Sequence, residues 1–279
     1  MPTFNTPEPI SVTVELTLGD VRISAAERTD TVVAVEPSDA SNDEDRKAAE
    51  LTRVEYANGQ LLVKAPRSFR PRRTGGSVSV SIELPAASDV HGTAGLADFH
   101  CDGPLGECQI KTGLGDIRLD RTQGLIIKSA TGDISVDHVT GHADVKAGSG
   151  DVRMRELDST AVIKSSNGDT WIGVAGGDLR VNAANGSIAV DLAQATVGAK
   201  SANGDVRLGE VVRGSVVLET RLGDLEVGIR EGTAAWLDVR STAGKVHNAL
   251  EAADAPQPST ETVEVRARTT AGNVVIRRP

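Results

Sequence analysis

Large side chains are scarce in this sequence. Among 279 residues there are three Phe, two Trp, one Tyr and two Met. No aromatic cluster is available to anchor a globular core or to stack on sugars, so the interior has to be aliphatic. Cys101 and Cys108 are the only cysteines, which excludes a disulfide framework for a chain this long. No run approaches the roughly 18 consecutive apolar residues of a spanning helix, so no integral membrane segment is expected. The stretch Met1-Pro2-Thr3-Phe4-Asn5-Thr6-Pro7-Glu8-Pro9 lacks both the basic head and the apolar core of a secretory signal, and a cytoplasmic location is the expectation. Concentrated positive charge is missing as well. The 30 Lys and Arg are scattered among 39 Asp and Glu, for a net charge of -9, which sets nucleic acid aside as a partner.

Catalytic signatures are equally absent. There is no Gly-x-Ser-x-Gly elbow, no phosphate-binding loop and no His-Glu-x-x-His, so the chain reads as non-enzymatic and without a cofactor. Cys101, Cys108, His91 and His100 lie near one another in sequence but at no recognised zinc spacing, so no metal site is assigned to them.

What the chain does contain is glycine, 29 residues of it, between short alternating runs of Val and Ile. A phrase recurs: Ser/Ala-x-Asn/Thr-Gly-Asp, followed by an alternating apolar strand. Its glycines are Gly115, Gly132, Gly150, Gly168, Gly186, Gly204 and Gly223, at spacings of 17, 18, 18, 18, 18 and 19 residues. Looser copies at Gly244 and Gly272 extend the series. Alignment on the glycine turns the positions into columns. Seven and five residues before it the side chains are apolar (Leu179 and Val181, Val197 and Ala199, Val216 and Leu218), and three before it they are small. Two and four residues after it a second apolar face begins, as in Val152 and Met154 or Val206 and Leu208. Each unit therefore supplies two short strands joined by a Gly-Asp turn.

A unit of about 18 residues cannot bury its own apolar stripe, but stacked copies make a continuous core. The fold class expected is all-β, a parallel β-helix or β-solenoid with a short N-terminal capping segment. An antiparallel meander would share the same period. Parallel stacking at about 4.8 Å per rung would make some ten rungs into a rod on the order of 50 Å.

The first 90 residues read as a β lead-in and cap continuous with the repeats, and 91–279 as the repeat region with a C-terminal cap. Within the lead-in, Ser11–Ile23 forms two alternating runs around Gly19-Asp20, a short helix is expected near Asp45–Glu50, and Asn58-Gly59 marks a hairpin. Arg67–Arg73 is a basic tip that reads as a solvated loop, and Ala249–Glu261, with Pro256 and Pro258, breaks the period.

The Gly-Asp turns, the phrase Lys128-Ser129-Ala130-Thr131-Gly132-Asp133-Ile134 and the lead-in ending Ile82-Glu83-Leu84-Pro85 resemble the bacterial β-strand-repeat family labelled "putative adhesin", domain of unknown function 4097. The resemblance covers nearly the whole chain. It implies a β-helical fold and, from some members, proximity to cell-envelope stress systems or transporters, with no assigned activity.

Candidate contact residues lie in the outward columns. Four residues before the glycine stand Lys128, Lys146 and Lys164, a basic ladder interrupted by Asn182 and Glu219. One residue after it stands an acidic ladder that includes Asp133, Asp151, Asp169 and Asp205, broken by Ser187. The two ladders are expected to neutralise each other across the bend, with cation binding by the Asp ladder as the alternative. Trp171 shares its column with Arg153 and Arg207, and Arg153 one rung away offers a cation–π contact.

The functional expectation is a binding or scaffolding module. It would present Trp171, Arg153, Arg207, Lys128, Lys146 and Lys164 to a protein partner, or self-associate through its end rungs. An envelope adhesin or carbohydrate-active β-helix, and a cation-binding rod, are the alternatives.

Overall fold

A computed structural model of the protein describes residues 1–66, 76–250 and 261–279. The basic tip from Arg67 to Arg73, and Pro256 and Pro258, lie outside these residues. The chain divides into two compact units, Met1–Thr140 and Gly141–Pro279.

The first unit contains β1 (Thr3–Asn5), β2 (Ser11–Ala26), β3 (Asp30–Pro37), α1 (Asp43–Leu51), β4 (Arg53–Ala57), β5 (Gln60–Lys64), β6 (Val78–Pro85), β7 (Asp89–Leu114), β8 (Ile117–Thr131) and β9 (Ile134–Val139). Its rungs are parallel: β2 pairs with β7, β7 with β8, and β8 with β9. Ser11–Ile23 is thus an early rung, running as part of one 16-residue strand through Gly19-Asp20, which face Ala97-Asp98. The lead-in adds antiparallel pairs, β1 with β3, β3 with β6 and β4 with β5. Asn58 (φ 50°) and Gly59 (φ 75°) make the tight turn of the β4–β5 hairpin. Helix α1 starts at the Asn42 cap, whose side chain accepts the Glu44 N–H. The buried carboxylate of its Asp45 accepts the backbone N–H groups of Asp39 and Ser77, which ties the helix to the ends of β3 and β6.

The second unit contains β10 (Ala143–Ser149), β11 (Val152–Leu157), β12 (Ala161–Asn167), β13 (Thr170–Ala175), β14 (Leu179–Asn185), β15 (Ile188–Ala193), β16 (Val197–Asn203), β17 (Val206–Val211), β18 (Gly214–Leu222), β19 (Leu225–Ile229), β20 (Ala234–Ala243), β21 (Val246–Asn248), β22 (Thr262–Ala271) and β23 (Val274–Arg277). Equivalent strands stack in parallel, in register apart from one shift between β17 and β19 after Leu208. One face runs β10, β12, β14, β16, β18, and the other β11, β13, β15, β17, β19. The parallel solenoid, and not the antiparallel meander, is the arrangement of the repeats.

Period-2 alternation sends the aligned apolar columns inward. Val181, Ala199 and Leu218 are each 0% exposed, and burial of a Val or Leu contributes about 1.5–3 kcal/mol. Among the described residues Phe99 is the one aromatic side chain buried in the core, and its ring fits because Gly92 beside it carries no side chain.

The turn is built from four stacked columns. At the centre, a Cβ placed on Gly204 (φ 147°) would lie 2.2 Å from the Gly186 carbonyl oxygen, so only glycine lets successive turns approach this closely. Just before it, Asn203 donates its side-chain amide to the Asn185 oxygen (2.8 Å), and Asn185 donates to Asn167 (3.0 Å). Just after it, the carboxylate of each Asp accepts the backbone N–H one rung on: Asp151 from Asp169 (3.0 Å), Asp169 from Ser187 (2.8 Å), Asp205 from Asp224 (2.7 Å). Three residues before it, the small residues read as core filling are often hydroxyl donors. Ser201 donates to the Gly186 carbonyl (3.1 Å) and Thr220 to that of Gly204 (3.0 Å).

These bonds correct the expected cancellation between the Lys and Asp ladders. The turn carboxylates bind N–H groups of the next rung and, at Asp116 and Asp151, the arginine two residues along the same strand (Arg118, 3.6 Å; Arg153, 2.8 Å). Lys146 pairs with Asp144 (3.1 Å) and Lys200 with Glu219 (2.8 Å). The stacked carboxylates are held in place by hydrogen bonds from backbone N–H groups of the next rung.

A second correction concerns the end of the series. The strands do not stack in chain order: β22 lies between β18 and β20, and β23 between β19 and β21. Gly272 therefore sits on Gly223, and Gly244 on Gly272. The terminal rung is β20–β21, and its core residues Leu237 and Val239 are half-exposed where the equivalent Val265 and Ala267 are 0% exposed. No helix among the described residues is long and apolar enough to cross a membrane.

Gly204→Ala is expected to destabilise the fold by about 2–4 kcal/mol, combining backbone strain with the clash on Gly186. Gly198→Ala, where a Cβ meets nothing within 4 Å, should change stability by no more than about 0.5 kcal/mol. Urea unfolding of the two variants compares them, and equal midpoints would contradict the stacking argument.

Candidate functional site

Trp171 lies on β13, facing Arg153 of β11 on one side and Ala189 of β15 on the other. Its ring is half-buried and leans along the strand over Gly173. Arg153 turns to Asp151, and Arg207 to Glu226 (3.6 Å), so both guanidinium groups hold carboxylates. Lys128 and Lys164 are exposed and Lys146 is half-buried. Lys128 lies in the first unit and the other five residues in the second. Among the described residues the cation–π contact is a different one, Arg266 over Trp236 at 6.0 Å.

Two hollows of the second unit lie along its last five rungs. A cleft of about 640 Å³ opens on the outward side of β14, β16, β18, β22 and β20. Its walls include Asn182, Lys200, Glu219, Arg221, Arg240 and Arg268, and its floor carries the hydroxyl residues Ser201, Thr220 and Thr269. Both interruptions of the lysine column, Asn182 and Glu219, therefore line it. Glu219 binds Lys200, while Asp238 beside the cleft holds Arg268 (3.2 Å) and Arg240 (3.3 Å). Arg221 is exposed and makes no ion pair among the described residues. Four cations against two carboxylates leave the cleft locally basic in a protein of net charge -9.

At the N-terminal ends of β18, β22 and β20 lies a second hollow, about 850 Å³, lined by Ser215, Ala235, Trp236, Val263 and Glu264 and rimmed by the Arg213–Glu261 pair (3.7 Å). Trp236 is 56% exposed. Sequence reasoning passed over it because the column alignment treats Gly244 as an ordinary further rung. The signal was in the spacings: from Gly223 to Gly244 is 21 residues and from Gly244 to Gly272 is 28, too long for successive rungs.

The sequence profile of Toastrack DUF4097 matches residues 9–277. The chain belongs to the Toastrack family. This is the family that the repeat phrase resembles. Solved structures similar to this Toastrack chain include a "putative adhesin" from Bacteroides fragilis, 13% identical, covering 100% of this chain and 95% of that one with a TM-score of 0.37. Another from Parabacteroides distasonis is 13% identical, covering 98% and 95% with a TM-score of 0.34. A "putative cell adhesion protein" from Clostridium sporogenes is 11% identical, covering 100% and 98% with a TM-score of 0.25. No curated protein matches the chain.

The cysteines and histidines of this Toastrack chain do not converge. Strand alternation points Cys101 and Cys108 into the core, 1% and 2% exposed, and turns His91 and His100 outward, His100 to Asp102 at 3.2 Å. Both thiols are free. Burial, reinforced by Glu107, pushes the Cys108 thiol up to about 12, and burial raises Cys101 well above its ordinary value.

A thiol harder to ionise folded than unfolded contributes stability that is constant below pH 9.0 and is lost as the pH rises toward about 12. Native protein at pH 8 should therefore resist iodoacetamide and label at both cysteines only in denaturant. Rapid native labelling would contradict the burial.

Proposed function

We propose that this Toastrack chain is a non-enzymatic, cytoplasmic binding module whose open cleft receives an acidic segment of a protein partner. The observation that carries this reading is the cleft on the last rungs. Lys200, Arg221, Arg240 and Arg268 converge there beside the exposed Thr242 and Thr270, and among the described residues Arg221 has no carboxylate of its own.

The physical case is one of local against long-range charge. Salt at physiological strength screens exposed charges beyond about 8 Å, so the negative balance of the whole chain does not control an approach to this surface. At contact, each guanidinium offers planar, paired donors to a carboxylate, and a hydrogen bond to a charged group is worth about 1.5–3 kcal/mol. The rigid parallel strands beneath hold the cations at fixed spacing, which reduces the ordering cost of binding. A repeating strand scaffold with its relief at one end suits recognition of an extended peptide. The reading of a non-enzyme rests on the nature of that lining, in which Ser201, Thr220 and Thr269 bind backbone carbonyls, the lone carboxylate is held by Lys200, and the remaining charged groups are cations.

The expected outcome with a labelled glutamate-rich decapeptide is binding that weakens as salt is raised. A lysine-rich decapeptide should not bind. Arg221→Ala should weaken the interaction about fivefold, or ~1 kcal/mol, as measured by fluorescence anisotropy. Equal binding of both peptides, or none of either, would overturn the acidic-segment reading, and recovery of the protein outside the cytoplasm on fractionation would overturn the location.

A further inference from the structure

We propose that the β20 edge pairs with the same strand of a second copy of this chain, in antiparallel register about Val239, and closes the open end of the second unit as a two-fold dimer. The inference does not depend on the acidic-peptide reading of the cleft.

The edge itself is the first observation. Strand β20 is bonded along one side, to β22, and among the described residues no strand lies on its other side. A free strand edge is a template for pairing, and natural edges are usually short, bulged or charged on the inward side. This edge has none of those features. It is ten residues long, it matches β22 without a register shift, and its inward residues at the centre are Leu237 and Val239. Those two are half-exposed because no described strand covers the last rung. Trp236, 56% exposed, and Val246 of β21, 48% exposed, extend the uncovered apolar surface to both strands of the rung.

The second observation is the charge pattern, which selects both the partner and the register. Trp236, Asp238, Arg240 and Thr242 alternate on the outward side of β20. In an antiparallel pair, residues directly opposite share a side of the sheet. With Val239 on the two-fold axis, Asp238 faces Arg240 of the second copy and Arg240 faces its Asp238, so two ion pairs form by symmetry. On the inward side Val239 meets Val239 and Leu237 meets Ser241, which continues the core. Centring on Asp238 or Arg240 instead would set like charges face to face. Any register shifted by half a residue would put outward charges opposite core side chains. The Val239 register joins the strand from Ala235 to Ala243, nearly its whole length. Asp238 already holds Arg268 of the neighbouring rung and Arg240 of its own strand, and the pairing would bring the second copy's Arg240 to it as well. The contact uses the same patch on both copies, so it closes at two and does not propagate.

The test uses the full chain. Sedimentation from about 1 to 100 µM should show a species of twice 29.0 kDa. Val239→Asp, which puts two carboxylates on the axis, should weaken dimerisation at least tenfold while the circular dichroism and melting of the monomer are kept. Arg240→Asp should weaken it similarly, and the double exchange Asp238→Arg with Arg240→Asp should restore it, because the pairs reform with sign reversed. Val239→Cys should crosslink to a dimer under mild oxidation, since opposed strand residues lie within disulfide reach, while Cys101 and Cys108 stay buried. A monomer throughout the range, a larger oligomer, or a dimer untouched by Val239→Asp and not trapped by Val239→Cys would each overturn the proposal. Arg221→Ala should leave the dimer intact, so failure of the peptide experiment and failure of this one are separable.

Discussion

Two turns of backbone pass each other at the glycine column with the carbonyl of one rung where the Cβ of the next would be. This contact sets the rest of the geometry. Because the Gly204 site sits against the Gly186 oxygen, the rungs reach sheet spacing at the bend as well as along the strands. The corner can then be hydrogen-bonded from one rung to the next. The amide, carboxylate and hydroxyl columns all depend on that closeness: a turn held even one carbon diameter farther off would leave Asn203, Asp205 and Ser201 short of the partners they reach. The repeat length follows from the same contact, since every strand must return its glycine to the same place.

Much of this was legible in the sequence, and the reasons are physical. Strand alternation has a strict period of two, so the inward columns could be read directly, and residues such as Val181 and Ile163 lie in the core where their columns place them. An unchanged phrase at fixed spacing favours parallel stacking, but an antiparallel meander shares that period, and the choice is made by the strand pairings. The turn chemistry was visible only by halves. Gly and Asp signal a bend in any loop, but that Asp151 bonds to the rung beyond its own is a relation between copies, which a single repeat does not display. Reading Ser201 and Thr220 as small core residues captured their size and not their donors, because the acceptor is a backbone carbonyl of another rung.

The candidate site was less legible because it is made by an exception to the repeat. Column breaks at Asn182 and Glu219 mark one wall of the cleft, yet Arg268 and Arg240 join it only because β22 inserts ahead of β20. Strand order is not encoded in periodicity. It depends on the long connection after Asn248 and on which rung presents the better-matched edge, and both are properties of the folded stack. Trp171 drew attention as an aromatic among charged neighbours, whereas Trp236 is the more exposed of the two through its place on the last rung.

The inserted rung also changes how the molecule would come apart. In a solenoid stacked in chain order, force applied at the C-terminus peels the final rung from an open edge, one hydrogen-bonded row at a time. Here the C-terminal strands β22 and β23 are gripped on both sides. Pulling β22 and β23 out of the stack must shear out an interior layer, breaking two rows at once, before any other rung can follow. Deleting these two strands would likewise remove an internal layer and leave β20 and β21 without the neighbours they rest on. The pair acts as a keystone.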